Sequence, residues 1–455
     1  MAVVNNSSNF SIDTLNQYIQ KKVLDLAKRQ ICAYQFANKL DLPQGNGTTY
    51  MATRYSRLNL PFAPLQEGGS SVGESMTVTQ VQGTVQQWGD LVRTTDVADL
   101  TPVHDVFQQA VHLVGIQVAE TLERNAYTAG NGLLAGANVN YAGSVASRAA
   151  LGSTNVLSPH EINRAVGTLN SVGAPKYGEP DKETYEVNPQ TTKGVVQPHY
   201  VSILHPLVAQ DMRENTTIST AWSYSDIRRL YTYEIGEWGG VRFTTSNMVP
   251  YWVGVAAISG TAGTAGSLAT GTYYIQVTAS PALTSMEQKI YQVSAGVAVT
   301  GPTGSISVTL PNVPGYVFNV YIGTTTSPVN LGLSTSGPST GAMAGQATQM
   351  AGNQTVVITG TGASQTPPAA PATGITVFPT FVIGKNSYGS VMLDSLKTFY
   401  LKDADKSDPQ NTTRVVSWKI FYGMIVLNQA FFMRIESASA FSASFDSGPV
   451  VGQTF

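Results

Sequence analysis

Charge is scarce in this 455-residue chain: Asp, Glu, Lys and Arg make up 12%, about half the share of an ordinary globular protein. The formal net charge is −2, so no global basic surface draws the chain onto nucleic acid or an anionic membrane. A lone cysteine, Cys32, excludes an internal disulfide and fits a reducing birthplace and a small buried side chain. No apolar run reaches the roughly 18 residues that a membrane span needs. The opening Met1-Ala2-Val3-Val4-Asn5-Asn6 lacks the basic and apolar regions of a secretory signal, so a soluble protein made in the cytoplasm is expected.

Active-site chemistry is equally thin. Of the five histidines (His104, His112, His160, His199 and His205), His104 and His112 share a helical stretch at a spacing of eight, too far apart for the four-residue pair of a zinc helix. Structural roles are expected for all five. Gly69-Ser70-Ser71-Val72-Gly73 has the letters of a nucleophile elbow, but Gln66-Glu67-Gly68 precedes it and polar hairpin text follows, where a strand and a helix are required. Gly130-Asn131-Gly132-Leu133-Leu134-Ala135-Gly136 misses the dinucleotide-binding spacing and follows a helix. Asp403, Asp405 and Asp408 crowd one loop, yet Asp408 stands where a calcium loop needs glycine and Arg414 where it needs an acid. A solvated acidic turn is expected there, with cation binding left open. No catalytic, cofactor-binding or metal-binding residue is assigned, and no enzyme is expected.

What is present is turn and strand. Residues 11–40 read as a helix capped by Ser11, with Ile12, Leu15, Ile19, Val23 and Leu26 on one side and Lys21, Lys22, Lys28, Arg29 and Lys39 on the polar side. From 43 to 95, Gly45, Gly47, Gly68, Gly69, Gly73 and Gly83 punctuate alternating runs such as Met76-Thr77-Val78-Thr79-Gln80-Val81. That pattern predicts a long hairpin with a loose tip and too few large apolar residues to bury itself. Thr101-Pro102 opens a helix whose stripe is Val103, Phe107, Ala110, Val111, Val114, Val118 and Leu122, closed by Gly130. Ser158-Pro159-His160-Glu161 is a capping box for a second helix ending near Gly173. Val201–Leu204 reads as a buried strand turned by His205-Pro206 into a helix through Glu214, and Val241–Thr245 as another strand. The tail from Val415 to Glu436 reads as a long apolar strand pair.

Composition shifts sharply between Thr261 and Ala372, where 112 residues hold two charges, Glu287 and Lys289. Strand signals recur at Thr272–Val277, Ser305–Val308, Val317–Ile322 and Thr355–Ile358, the texture of an immunoglobulin-like sandwich. Pro367-Pro368-Ala369-Ala370-Pro371 reads as its return linker.

Several segments carry a family resemblance: Trp88-Gly89-Asp90, Thr95-Asp96, His205-Pro206 with Asp211 and Arg213, and Glu234-Ile235-Gly236-Glu237 running into Gly240-Val241-Arg242-Phe243. Ile383-Gly384-Lys385-Asn386-Ser387-Tyr388-Gly389, Trp418-Lys419, Leu427-Asn428 and Arg434-Ile435-Glu436 continue the series. Together the chain resembles the major capsid proteins of tailed phages, specifically the coliphage N-four type. The resemblance implies an α+β, Hong Kong 97-like capsid fold: N-terminal arm 1–42, extended hairpin 43–95, peripheral domain 96–200 with spine helix 101–130, and axial domain 201–258 and 374–412. An all-β immunoglobulin-like insert would occupy 259–373, and 413–455 would return to the peripheral sheet. It further implies a homo-oligomer of hexamers and pentamers closing an icosahedral shell around double-stranded DNA, contacted non-specifically. The chain would be part of the virion, assembled in the host bacterial cytoplasm without a membrane.

Some shells of this fold are welded by a hairpin lysine, and no lysine occurs here between Lys39 and Lys176, so a non-covalent shell is expected, with a possible cement protein. No long charged extension precedes the arm, so a separate scaffolding protein is expected beside the portal. Arg54, Arg57, Glu67, Glu74, Trp88 and Asp90 are the candidate inter-subunit contacts. The competing reading is a secreted or surface adhesin-like β protein, which the sandwich would suit and a signal peptide would have supported.

Overall fold

The computed structural model describes residues 23, 31–55, 58, 73–95, 106–128, 132–136, 138–178, 198–218, 231, 233–281, 287–311, 313, 316–326, 332–334, 355–358, 360–364, 367–401 and 412–442, and statements of absence below concern these residues. The chain forms two compact units, one of Met1–Asn138, Val172–Pro198 and Ile383–Phe432, the other of Val139–Ser171, His199–Val382 and Met433–Phe455.

The first unit is built on two 14-residue strands, Tyr388–Leu401 and Thr413–Val426, paired antiparallel. Gln86–Thr95 adds antiparallel to one side and Asn38–Asp41 adds parallel to the other. Alternation along the strand buries Val416, Trp418, Ile420, Tyr422 and Met424 on one face. The helix Val106–Ala126 packs against this sheet and buries Ala110, Val111, Val114, Val118 and Leu122, the stripe read from the sequence. Its expected start at Thr101-Pro102 and its expected end at Gly130 lie outside the described residues.

Two expectations are corrected here. The helix over 11–40 does not run to its end: Ala33–Phe36 is a single turn and Asn38–Asp41 is a strand, while of residues 11–30 only Val23 is described, in helix. A parallel partner, Gly389–Met392, overrides the helical spacing. Lys39 therefore sits on a strand, its Nζ 3.0 Å from the Tyr34 ring centroid and donating to the Tyr34 carbonyl at 2.8 Å. The hairpin exists as Thr49–Tyr55 against Val78–Thr84, in register from Thr49↔Thr84 to Tyr55↔Val78. Residues 86–95, expected as more hairpin, join the main sheet instead.

The second unit carries a thirteen-stranded sheet. Tyr200–Leu204 is buried throughout and runs parallel to Val241–Thr245, which pairs antiparallel with Glu234–Trp238. The His205-Pro206 corner behaves as read: Pro206–Glu214 is helical, and His205 Nδ1 accepts from the Leu207 N–H at 3.3 Å. Pro159–Val172 is the expected second helix, ending before Gly173 at φ 70°. Glu161, expected to close a capping box on Ser158, accepts from the Gly143 N–H at 3.2 Å.

All four strands expected in the uncharged segment form, as Gly271–Pro281, Gly304–Thr309, Tyr316–Gly323 and Thr355–Ile358. Ile275, Val277, Phe318 and Val320 from one sheet pack with Ile306, Val308, Val356 and Ile358 from a three-stranded sheet. This sandwich is not an isolated bead. Lys289–Tyr291 runs parallel to Trp252–Val255, which pairs with Thr376–Ile383, so its larger sheet continues into the rest of the unit.

The tail is not a strand pair. Thr413–Val426 belongs to the four-stranded sheet, whereas Phe432–Ser437 pairs parallel with Val139–Tyr141 in the other unit. Residues 374–412 are likewise divided, since Thr376–Ile383 and Tyr388–Leu401 enter different sheets.

Candidate intersubunit surface

The hairpin buries itself only at its base. Tyr50, Ala52 and Val81 pack on a cluster of Leu42, Val85, Val391 and Ile425, while toward the tip both faces of the ribbon are exposed. Met51, Tyr55, Leu58, Met76 and Val78 are 54%, 62%, 55%, 68% and 48% exposed. A two-stranded ribbon with this much apolar surface in water is marginal without a further partner.

The hairpin base lies across the sheet face opposite the helix, at the Phe421–Ile425 end. Two glycines permit that path: a Cβ on Gly423 would sit 2.3 Å from the Thr84 carbonyl oxygen, and one on Gly83 2.9 Å from Ile425 Cβ. The remainder of this face keeps exposed apolar side chains among the described residues. Its cross-strand rows are Gly89–Lys419–Lys397, Leu91–Ser417–Phe399 and Arg93–Val415–Leu401. Leu91, Phe399 and Leu401 are all at least 42% exposed. Lys397 and Lys419 stand directly opposite one another, an arrangement that is unfavourable in a sheet unless an anion compensates. Asp394 is that anion in part: Lys397 donates to it, and this contact holds its carboxyl below the usual range. Lys419 also lies 5.4 Å from the Phe421 ring centroid and 6.0 Å from that of Phe399. The result is an apolar stripe with a cationic margin.

The six candidate contact residues divide. Arg57 and Glu67 lie outside the described residues. Glu74 is exposed on the approach to the return strand. Arg54 is exposed, but its Nη1 donates to Asn428 Oδ1 at 2.8 Å, so it steadies the hairpin on its own chain. Trp88 and Asp90 turn toward the helix. The Trp88 indole donates to the Tyr422 carbonyl at 3.3 Å and its ring lies 5.6 Å from the Arg124 guanidinium. Asp90 accepts from Gln117 at 2.5 Å, and Gln117 accepts from the Trp418 indole at 3.1 Å. The Trp88-Gly89-Asp90 and Trp418-Lys419 segments thus meet as neighbouring strands, and Gly89 lets them approach, since a Cβ there would fall 2.6 Å from the Trp418 carbonyl oxygen.

The other quoted segments also resolve into structure. Glu234 is buried and pairs with Arg242 at 2.7 Å while accepting from the Tyr231 N–H at 3.0 Å; Arg242 also reaches Glu237 at 3.1 Å. His199, fully buried, shares a hydrogen bond with the Tyr231 hydroxyl at 2.9 Å. Glu436, fully buried, takes a bidentate bond from Arg148 with both contacts at 2.7 Å and a third contact from Arg434 at 3.1 Å. Arg148 also donates to the Ala369 carbonyl at 2.9 Å and lies 3.7 Å from the Trp252 ring centroid, which pins the proline-rich linker to the unit. Arg148 and Glu123 escaped the sequence reading because their partners are 288 and about 90 residues away.

Among the described residues, no three His, Cys, Asp or Glu side chains converge as metal ligands, and no helix is long and apolar enough to cross a membrane. The Asp403, Asp405 and Asp408 loop lies outside the described residues.

No family model matches the chain, and no curated protein matches it. Among solved structures, it is similar to the capsid of Ralstonia phage GP4, with 10% identity over 90% of each chain and a TM-score of 0.47. It is similar to the cyanophage Pam1 capsid asymmetric unit, with 11% identity over 89% of this chain and 90% of that one and a TM-score of 0.47. A third similarity is to the capsid of a native GTA particle, with 8% identity over 91% of each chain and a TM-score of 0.41. Likeness at this level carries no argument by itself, and the functional reading rests on the surfaces described above.

Proposed function

We propose that this chain is a major capsid protein of a tailed phage, of the coliphage N-four type and Hong Kong 97-like fold, whose work is structural and not catalytic. Copies associate as hexamers and pentamers into an icosahedral shell around double-stranded DNA in the virion. Assembly takes place in the host cytoplasm with a separate scaffolding protein and a portal, and a cement protein can brace the non-covalent shell. The uncharged sandwich, read as immunoglobulin-like, is a surface module of that shell.

One observation carries the reading: the hairpin's exposed apolar ribbon has an apolar counterpart in the exposed Leu91, Phe399 and Leu401 of the sheet face. A hairpin from a second copy laid there continues the covering that the chain's own hairpin base begins. Its Met51, Tyr55, Met76 and Val78 would meet Leu91, Phe399 and Leu401, and Glu74 would approach the cationic margin. Burying the exposed half of these seven large apolar side chains contributes about 7 kcal/mol per contact before ordering losses. Closed symmetry repeats that modest contact until the shell is stable.

The test uses two double variants, Met51→Asp with Tyr55→Asp on the hairpin and Phe399→Asp with Leu401→Asp on the face. Both positions are exposed within the subunit, so stability is expected to stay within about 1 kcal/mol of the parent. Each variant is expected to lose particle formation in sedimentation. Parent-level assembly by both variants would overturn the proposed contact.

A further inference from the structure

The buried carboxylate of Glu123 has no place in the contact just described, and its surroundings are unusual. It sits in the last turn of the helix Val106–Ala126, fully buried. Its Oε2 accepts from the Cys32 N–H at 3.0 Å; the Ala33 N–H reaches Oε1 at 3.0 Å and Oε2 at 2.9 Å; the Tyr127 hydroxyl donates to Oε1 at 2.8 Å. Cys32 precedes the single turn Ala33–Phe36 and offers that turn no side-chain cap. Glu123 supplies the cap from another element, about 90 residues away.

Everything downstream of that cap leads to the hairpin. The Tyr388 hydroxyl donates to the Ala33 carbonyl, and the Tyr177 hydroxyl donates to that of Phe36 at 3.0 Å. Asn38–Asp41 then pairs with Gly389–Met392, the Leu42 N–H bonds the Met392 carbonyl at 2.9 Å, and Leu42 enters the cluster on which the hairpin base rests. Six residues separate Leu42 from the outgoing hairpin strand at Thr49.

We infer that Glu123 is a latch coupling the helix Val106–Ala126 to the hairpin: closed, it fixes the segment Cys32–Leu42 and with it the direction in which the hairpin leaves the sheet. A shift or unwinding of the helix's last turn withdraws the carboxylate, strands two buried N–H groups and releases that segment. The three antiparallel strands Tyr388–Leu401, Thr413–Val426 and Gln86–Thr95, held by their own ladders, stay intact. In a shell, such a coupling lets a change along the helix reset how a hairpin meets its neighbour, an implication that rests on the capsid reading. The latch itself is a property of one subunit.

The experiment is hydrogen–deuterium exchange on unassembled full-length chains of the parent, Glu123→Gln, Glu123→Asp and Tyr127→Phe. The glutamine variant keeps shape but removes the charge and one acceptor. It is expected to speed exchange at Cys32–Leu42 and Thr49–Tyr55 at least tenfold, while Thr413–Val426 changes less than twofold. Tyr127→Phe, which removes one donor and spares the carboxylate, gives a smaller increase confined to the same peptides, and Glu123→Asp recovers part of the protection. Unchanged exchange at Cys32–Leu42 in Glu123→Gln would overturn the latch. A uniform rise across both segments and the sheet in Tyr127→Phe would do so too, because it reports plain destabilisation. Neither outcome depends on particles forming, so the latch and the capsid reading fail separately.

Discussion

Replacing either side of the Arg148–Glu436 pair should reveal an asymmetry set by Arg434. Arg148 and Glu436 are almost wholly buried, with side-chain exposures of 8% and 0%. Removing one member of such a pair typically costs about 3–5 kcal/mol, because the partner's charge stays desolvated and uncompensated. Arg148→Met leaves Glu436 with Arg434 at 3.1 Å, so the carboxylate keeps a cation and the loss should fall near the lower end, about 3 kcal/mol. Glu436→Gln puts a neutral amide in place of the carboxylate that holds both the Arg148 and the Arg434 guanidiniums, leaving two neighbouring like charges without it. That loss should fall near the upper end, about 5 kcal/mol. The assay is native-state hydrogen exchange at Phe432–Ser437 and its partner Val139–Tyr141, which reads this unit without assuming that both units unfold together. Equal losses, or a larger loss for Arg148→Met, would refute the electrostatic reasoning.

Other outcomes follow from single sites. Burial lowers His205 to about 4 from the ordinary histidine range, where it stacks on Phe378 at 4.7 Å. The folded state thus takes up its proton later than the unfolded chain, and the stability tied to the neutral ring is present above about pH 6.5 and lost on acidification toward pH 4. That window is worth about 3 kcal/mol at most, and denaturation of His205→Asn, which keeps a capping acceptor, should show a flatter acid limb than the parent. Gly423→Ala places a methyl against the Thr84 backbone and should destabilise the first unit by about 1–3 kcal/mol in thermal unfolding, with hairpin amides exchanging first.

The elements legible in the sequence were those specified within a few residues. The stripe of the long helix, the His205-Pro206 corner, the Gly173 stop and the four strands of the uncharged segment all follow local period or local capping, and all appear. The failures share a physical cause, since each depends on a partner distant along the chain. Lys39 reads as helical until Gly389–Met392 claims its backbone for a parallel ladder. Glu161 reads as half of a capping box until the Gly143 N–H takes its carboxylate. Val415–Glu436 reads as one strand pair because both halves are apolar, and apolarity does not say which sheet receives each half. Trp88 and Asp90 read as inter-subunit candidates, yet within the subunit the Trp88 indole bonds the neighbouring strand at Tyr422 and Asp90 bonds the helix at Gln117. The apolar stripe on the sheet face has no signature in the sequence. Leu91 is remote in sequence from Phe399 and Leu401, and the three become one stripe only through the registers of Gln86–Thr95, Thr413–Val426 and Tyr388–Leu401.

The central claim is that copies of this chain build a shell, and it is tested most directly by negative-stain electron microscopy of the purified full-length protein, alone and with scaffolding candidates. The account predicts closed polyhedral particles, or sheets and rings of six, that disappear in the Met51→Asp/Tyr55→Asp variant. A monodisperse 48.3 kDa monomer under every condition would contradict it.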